Sequence, residues 1–204
     1  MATNTVWEEM AGRYDTEDRV NTAKIIVQAI RSELKDTKEK TALDYGCGTG
    51  LVGLGLTDLF QSVLFVDPSS RMIDRVNGKI KAGKIERAET RCCDFLEETP
   101  GALQVDYVIL SQVLLHVKDI RSLLAVLYRI LKENGHLLVV DFDKNEAVVS
   151  DRVHNGFEQR ELIGSLKQIG FSSTSARTFY HGKKIFMNQD ASLFLLNAMK
   201  RAAF

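Results

Sequence analysis

The sequence predicts an α/β fold in which helices lie on both faces of a seven-stranded, mostly parallel sheet. Short apolar segments typical of buried strands alternate along the 204 residues with longer segments whose apolar side chains recur every three or four positions, as in amphipathic helices. The last two apolar segments, 171–180 and 191–199, are about ten residues apart, which is too short for a helical crossover. The seventh strand is therefore predicted to be antiparallel.

Each earlier strand is predicted from an apolar run that ends at a polar or turn-forming residue. The segment 85–93 contains several charged side chains, so we expect it near an edge of the sheet, whereas 136–142 is largely apolar and should be buried on both faces. In chain order the first five predicted strands are 41–44, 62–66, 85–93, 105–110 and 136–142.

Amphipathic helices are predicted from apolar periodicity together with residues that favour helix ends. Pro68 suits a first helical position, Asp119 suits an N-cap, and Gly170 suits the residue after a helix. We place helices at 20–34, 68–80, 120–131 and 158–169, and a further helix beginning at Leu51.

The most informative stretch is 41–51, TALDYGCGTGL, in which an apolar strand ends and glycines follow at every second position. Strand, glycine turn and helix start in this order form a cradle for a nucleotide. Glycine is required because the turn needs positive φ and because a ligand lying on the main chain leaves no room for a Cβ.

The glycine spacing distinguishes two classes of cofactor. In the register that starts at Gly46, the third glycine of a dinucleotide fingerprint would fall on Leu51, and the register Gly48-x-Gly50-x-x-Gly53 starts after the chain has left the strand. Asp44 favours a cationic ligand, because a carboxylate beside the turn would repel a pyrophosphate but would suit the ammonium and sulfonium groups of S-adenosylmethionine.

The motif Asp-Tyr-Gly-Cys-Gly-Thr-Gly at 44–50 resembles the first motif of class I S-adenosylmethionine-dependent methyltransferases. The resemblance implies a three-layer, Rossmann-like methyltransferase fold with a seven-stranded, mostly parallel sheet and an antiparallel last strand. It implies S-adenosylmethionine as cofactor and S-adenosylhomocysteine as product. We expect a single domain over 1–204, with a cap helix region at 1–40 and the core at 41–204.

Asp67 stands at the tip of the second predicted strand, 17 residues beyond Gly50, where an acid can accept both ribose hydroxyls of an adenosine. The alternative is that Asp67 only caps the next helix.

The resemblance also implies contacts with the adenine. Pro68 and Met72 pack near it, Asp94 takes its amino group, and the Phe95 main-chain N–H meets the ring. The alternative is that Asp94 caps a turn and Phe95 is a core residue. The expected cofactor-binding set is Tyr14, Asp44, Gly46, Cys47, Gly48, Asp67, Pro68, Met72, Asp94, Phe95 and Ser111.

The segment 111–116, SQVLLH, resembles the family segment that leads from a strand tip toward the methyl acceptor. It lacks an Asn-Pro-Pro-Tyr sequence and a Pro-Cys nucleophile, which disfavours the methyltransferase classes that use them. Methyl transfer mainly requires alignment of nucleophile, carbon and sulfur, but a neutral acceptor must also lose a proton. His116 is the first candidate base and His154 the second. For each histidine, the alternative is a purely structural role. No catalytic metal is expected.

The amino-acid composition limits the binding partners and the cellular compartment that we expect. Lys plus Arg equals Asp plus Glu at 27 each, so no net positive field attracts nucleic acid. Three cysteines without disulfide or metal spacing fit a reducing cytoplasm, and no apolar run approaches the roughly 18 residues of a membrane span. We expect a cytoplasmic protein that binds neither membrane nor nucleic acid.

Three functional interpretations remain open from sequence. The first is a methyltransferase for a small-molecule acceptor, and the second is the same fold acting on tRNA or protein. The third is a nicotinamide-dependent oxidoreductase or a catalytically silent nucleotide-binding module. Neutral charge favours the first over the second, and Asp44 disfavours the oxidoreductase. The acceptor, the atom methylated, the pathway and the oligomeric state cannot be predicted from these patterns.

Overall fold

The first of two structural units extends to Thr99 and contains three parallel strands, the first two of which are each followed by a helical segment. The computed structural model describes residues 2–202, and the side chains of residues 6–202. The strands lie in the order β3-β2-β1. The elements of this unit are α1 (Ala2–Met10), a 3₁₀ turn (Ala11–Arg13), α2 (Glu17–Glu33), β1 (Thr41–Tyr45), a 3₁₀ segment (Gly53–Leu59), β2 (Ser62–Asp67), α3 (Ser70–Gly83) and β3 (Ala88–Cys92).

The second unit begins at Pro100 and contains four strands in the order β4-β5-β7-β6. β4 and β5 are parallel, whereas β7 runs antiparallel to both β5 and β6. Its elements are β4 (Val105–Ser111), a 3₁₀ turn (Leu114–His116), α4 (Ile120–Ile130), β5 (Leu131–Phe142), α5 (Gln159–Ile169), β6 (Phe171–Phe186) and β7 (Gln189–Lys200). The predicted fold class, a seven-stranded and mostly parallel sheet with an antiparallel last strand, is confirmed.

The helix after β2 begins at Ser70, two residues later than the proline suggested. Ser69 is the N-cap of α3, with its hydroxyl accepting from the Met72 N–H at 3.2 Å, so Pro68 precedes the cap instead of occupying the first helical position. Met72, Ile73 and Val76 are the buried face of α3. Asp119 caps α4 as predicted, because it accepts from the Ser122 N–H at 3.0 Å.

The segment that follows the glycine turn is not the α-helix that the sequence predicted. Residues 53–59 form a 3₁₀ segment, in which Gly53, Leu56 and Thr57 are buried. Gly53 and Gly55 lower the helix propensity of this segment. In addition, Gly53 packs closely against side chains of β1 and β2, and this packing sets the path of the chain.

The predicted loop 181–190 is wrong, because β6 and β7 continue through most of it as a hairpin. Met187 and Asn188 form its tip with φ of 49° and 62°, and Phe186 pairs with Gln189. Positive φ at both central residues is the geometry of a type I′ turn, which normally carries Asn-Gly or Asp-Gly. Met-Asn lacks that signature, so no local sequence pattern indicates this turn.

Other boundaries differ from prediction by a few residues. β3 is restricted to Ala88–Cys92, and β5 begins at Leu131 instead of His136. The N-terminal residues that sequence left unassigned form α1. Within residues 2–202, no helix has the length and apolar character needed to cross a membrane.

Candidate cofactor-binding site

The glycine turn after β1 has the backbone conformation that its sequence predicts. Gly46, Gly48 and Gly50 have φ of 69°, 54° and 78°, a region that residues with a side chain rarely adopt. The N–H groups of Gly46 and Cys47 both donate to the carbonyl of Val66, at 2.8 and 3.0 Å. The turn is therefore fixed to the end of β2 before any ligand binds.

Asp67 connects the glycine turn to the start of α3. Its Oδ2 accepts from the Gly48 N–H and its Oδ1 from the Ser69 N–H, both at 2.9 Å. Although Asp67 stands at a strand tip, it is not open to solvent, since it is only 7% exposed. Burial raises the pKa of this carboxyl, and the two backbone N–H donors oppose the shift.

Asp44 lies beneath the turn, not open beside it. It is 2% exposed, and a Cβ built on Gly53 would lie 2.2 Å from its Oδ2. No hydrogen-bond partner reaches Oδ2 within the described part of the chain. Burial, and the negative charge of Asp67, raise the pKa of Asp44 to about 7, and the nearby backbone N–H of Gly53 opposes the shift. A buried acceptor without a donor fits a site that receives a cationic or hydrogen-donating group.

Tyr14 lies against the glycine turn from the N-terminal side. A Cβ on Gly48 would lie 3.8 Å from its ring, and the guanidinium of Arg19 is 4.2 Å from the ring centroid. Arg19 also donates to the Tyr14 carbonyl at 3.1 Å, and Trp7 makes an edge contact at 6.4 Å between centroids. Cation–π and aromatic contacts therefore hold the ring at this position.

Three polar side chains that the sequence did not identify as a group fasten the N-terminal segment to the turn. Lys79 of α3 forms an ion pair with Asp15 at 2.8 Å and donates to the Thr49 carbonyl at 2.7 Å. The Thr49 hydroxyl donates to Asp15. Asp15, Thr49 and Lys79 are far apart in sequence, and of the three only Thr49 belongs to the glycine motif, so only the folded arrangement shows that they act together.

Glu8 provides a second attachment of the N-terminal segment, at the start of α3. Its carboxylate accepts from the Ser70 hydroxyl and the Arg71 N–H, both at 3.4 Å, and Arg71 donates to the Glu8 carbonyl at 3.3 Å. An acid at a helix N-terminus is favourable because it meets free N–H groups and the positive end of the helix dipole. α1 is thereby held over the first turn of α3.

The turn after β3 shows Asp94 as a turn cap and Phe95 in the core, and the contact of both with adenine stays a prediction. Oδ1 of Asp94 accepts from the Leu96 N–H at 2.9 Å, so the residue does cap a turn, and Phe95 is 3% exposed. The Tyr45 hydroxyl donates to the same Oδ1 at 3.0 Å and accepts from the Phe95 N–H at 3.1 Å. Of the other expected cofactor contacts in this unit, Met72 is 1% exposed and Cys47 has a pKa raised by burial.

In the second unit a buried acid positions the segment that carries His116. Asp141 of β5 is fully buried and accepts from the Leu115 N–H at 3.3 Å and the Phe142 N–H at 2.9 Å. Burial raises its pKa to about 7. Sequence analysis did not identify Asp141, because its strand is otherwise apolar. Ser111 ends β4, three residues before the 3₁₀ turn that ends at His116.

His154 is attached to the same segment, although it is 38 residues from His116 in sequence. Its backbone N–H donates to the Leu115 carbonyl at 2.8 Å, and its Nε2 lies 2.9 Å from the Val117 carbonyl. Because a carbonyl only accepts, Nε2 must carry the proton and Nδ1 the lone pair. The structure therefore brings both predicted histidines to one segment. Among the described residues, no cluster of three or more His, Cys, Asp or Glu could hold a metal ion.

The packing of Gly53 gives a stability prediction. Gly53→Ala places a methyl group 2.2 Å from Oδ2 of Asp44 and 2.6 Å from the Phe65 ring, so we expect destabilisation by about 1–3 kcal/mol or more. The control is Gly78→Ala in α3, where a Cβ meets nothing within 4 Å and helix propensity should add about 0.5–1 kcal/mol. Urea unfolding measures both, and equal stability of the two variants would contradict the packing.

The chain is similar in sequence to known methyltransferases. A family model described as "Methyltransferase domain" matches residues 18–180. An uncharacterized methyltransferase of Schizosaccharomyces pombe is 28% identical over 144 residues, which is 65% of this chain and 49% of that protein. A ubiquinone biosynthesis O-methyltransferase of Rhodopseudomonas palustris (strain BisB5) is 32% identical over 103 residues, or 50% of this chain and 40% of that protein. The chain thus spans about half of the length of these relatives.

A solved structure has the same fold at low sequence identity. It is phosphoethanolamine N-methyltransferase 2 of Haemonchus contortus in complex with phosphomonomethylethanolamine and S-adenosylhomocysteine. The TM-score is 0.73 at 17% identity, over 86% of this chain and 52% of that one. This structure shows a shared fold, and the family match over residues 18–180 shows that the chain belongs to the methyltransferase domain family.

Proposed function

We propose that the protein transfers a methyl group from S-adenosylmethionine to a small-molecule acceptor. The observation that carries this proposal is the pair of buried carboxylates, Asp44 and Asp67, around a glycine turn. Two acids in a poorly solvated site attract a cationic ligand and repel a pyrophosphate. This favours S-adenosylmethionine over a nicotinamide dinucleotide.

The residues of the first unit can be assigned to parts of the cofactor. Each oxygen of Asp67 accepts one backbone N–H, which leaves a lone pair on each for a ribose hydroxyl. Oδ2 of Asp44 lacks a donor and suits the ammonium of the amino-acid portion. Tyr14 shields the main chain at Gly48 from water, and Met72 supports the base from α3. When bound, the cofactor supplies an electrophilic methyl group on sulfur.

Both candidate bases belong to the second unit. Ser111 and His116 lie on the chain that leaves β4, and Asp141 fixes the backbone between them and β5. His154 presents Nδ1 as its free lone pair, so it can take a proton from a hydroxyl or amine without changing its bond to Val117. We assign His116 and His154 as candidate bases.

Two observations support a small acceptor. Relatives that match half of the chain are named ubiquinone biosynthesis O-methyltransferases, and the sequence has no net charge to attract a nucleic acid. We therefore propose a hydroxyl-bearing small molecule. The test is transfer of a labelled methyl group from S-adenosylmethionine to a panel of hydroxyl and amine compounds, with bulk tRNA and protein in parallel. Label found only in the macromolecules would contradict a small acceptor.

Substitution of the two histidines can separate an effect on methyl transfer from an effect on cofactor binding. Replacing the true base by Gln should lower methyl transfer by about 10²-fold or more while S-adenosylhomocysteine affinity stays within about twofold. His116→Gln and His154→Gln are compared with His181→Gln, an exposed histidine on β6 that bonds Ser192. If all three variants retain activity, neither candidate is the base.

Cofactor binding should release a proton below pH 7. Asp44 in the free protein has a pKa of about 7, so at pH 6 it is mostly protonated. An ammonium beside it favours the carboxylate, so binding of S-adenosylhomocysteine should expel up to about one proton and the affinity should rise from pH 5 to pH 7.

Calorimetry at pH 6 in buffers of different ionisation enthalpy measures this proton directly. Asp44→Asn should abolish the release and remove most of the pH dependence, since an amide cannot titrate. An unchanged proton release in Asp44→Asn would show that another group responds to the ligand.

A further inference from the structure

The side chain of Asp141 fastens the chain that leaves β4 to β5. Its carboxyl is fully buried, with Oδ2 accepting from the Leu115 N–H at 3.3 Å and Oδ1 from the Phe142 N–H at 2.9 Å. Beside it, the Gln112 N–H donates to the Val140 carbonyl at 2.7 Å. Gln112 has φ of 55°, which residues with a side chain rarely adopt. The chain is therefore attached to β5 at two adjacent residues, in a conformation that it would rarely adopt alone.

Leu115 also carries the attachment of His154. The Leu115 N–H is bonded to Asp141, and the Leu115 carbonyl accepts from the His154 N–H at 2.8 Å. The His154 ring makes a second contact, since Nε2 donates to the Val117 carbonyl at 2.9 Å and leaves the lone pair on Nδ1. His116 lies between these two attachment points in sequence. One peptide segment thus positions both candidate bases, and Asp141 holds that segment.

The groups bonded to Asp141 are backbone donors. Burial raises its pKa to about 7, and the N–H groups of Phe142, Leu115 and Leu114 oppose the shift because they stabilise the charged carboxylate. An ionised carboxylate only accepts, whereas the amide of an asparagine presents one oxygen and one NH₂ group. An amide at this position would therefore satisfy one backbone N–H and oppose the other.

We propose that Asp141 is a positioning residue for methyl transfer, whose carboxylate orients both His116 and His154 through Leu115. The inference rests on the proposed function, in which one of these histidines takes a proton from the acceptor. The bonds of Asp141 go to backbone N–H groups, so it sets the position of the histidines and exchanges no proton with them. Misplacement of a reacting group by about 1 Å costs about 10²-fold in rate, so loss of this support should be visible in turnover.

Asp141→Asn is the test variant, because it keeps the size of the side chain and replaces one acceptor oxygen by a donor. Methyl transfer at about pH 8, where a carboxyl of pKa about 7 is mostly ionised, should fall by about 10²-fold. The Kd for S-adenosylhomocysteine should stay within about twofold, since Asp44 and Asp67 belong to the first unit. The control is Asp106→Asn in β4, which removes a carboxylate paired with Lys132 at 2.8 Å and should leave the rate nearly unchanged.

A double substitution distinguishes positioning from a general loss of structure. If Asp141 acts through the histidines, adding Asp141→Asn to a variant whose catalytic base is already Gln should lower transfer by less than about threefold further. Independent effects would instead multiply. A further loss of about 10²-fold in the double variant would therefore overturn the inference.

The histidine side chains give a readout that needs no methyl acceptor. In the wild type, NMR of the imidazole nitrogens should show His154 with its proton on Nε2. Asp141→Asn should convert it to a mixture of both tautomers as the bond to Val117 is lost, whereas Asp106→Asn should keep the wild-type spectrum. An unchanged His154 tautomer in Asp141→Asn, with an unchanged Leu115 amide, would contradict the inference.

Hydrogen exchange of the wild type decides the question if Asp141→Asn does not fold. The amides of Leu115 and His154 should exchange in one opening event and at similar rates, because one segment carries both bonds. Independent exchange of these two amides would contradict the link between the acid and the histidine.

The inference and the proposed function fail in different ways. If the wild type binds no S-adenosylhomocysteine or transfers no methyl group, the proposed function fails, whereas the imidazole spectra still test the link from Asp141 to His154. If transfer occurs and Asp141→Asn retains the wild-type rate, the proposed function stands and this inference is wrong.

Discussion

A hydrogen bond of 2.9 Å from the Gly48 N–H to Asp67 joins the glycine turn to the tip of β2, and the rest of the proposed site depends on it. It holds a buried carboxylate against main chain whose positive φ favours glycine, and the second oxygen of the same acid holds the start of α3 through Ser69. Tyr14 and Lys79 then enclose a turn whose shape is already fixed. Cofactor binding therefore requires little rearrangement of this backbone.

The glycine turn carries an electrostatic cost, because two acidic side chains, Asp44 and Asp67, are buried beside it. Asp44 and Asp67 both have raised pKa values because water is excluded from them, and the negative charge of Asp67 further raises the pKa of Asp44. An uncompensated buried charge destabilises a fold, so acids without full hydrogen bonding are retained where a ligand completes them. A ligand with an ammonium and a sulfonium supplies opposite charge, which connects stability, pH and cofactor choice in one site.

The sequence predicted what depends on local pattern. The seven strands, the glycine turn and the acids at 44, 67 and 94 could all be located because periodicity and spacing along the chain are short-range signals. The 3₁₀ segment after the turn was missed because close packing of Gly53 on Asp44 overrides helix periodicity. Contacts such as Lys79 with Asp15, Asp141 with Leu115, and Tyr45 with Phe95 join distant positions, and no one-dimensional pattern encodes them.

The central claim is that the two buried acids select a cationic cofactor at the glycine turn. Titration calorimetry of the protein with S-adenosylhomocysteine, NAD and NADP in the same buffer tests it most directly. The account predicts saturable binding of S-adenosylhomocysteine and far weaker binding of both dinucleotides, because a pyrophosphate would meet Asp44 and Asp67 at close range. Tighter binding of NAD or NADP would contradict the assignment of the turn and of both carboxylates.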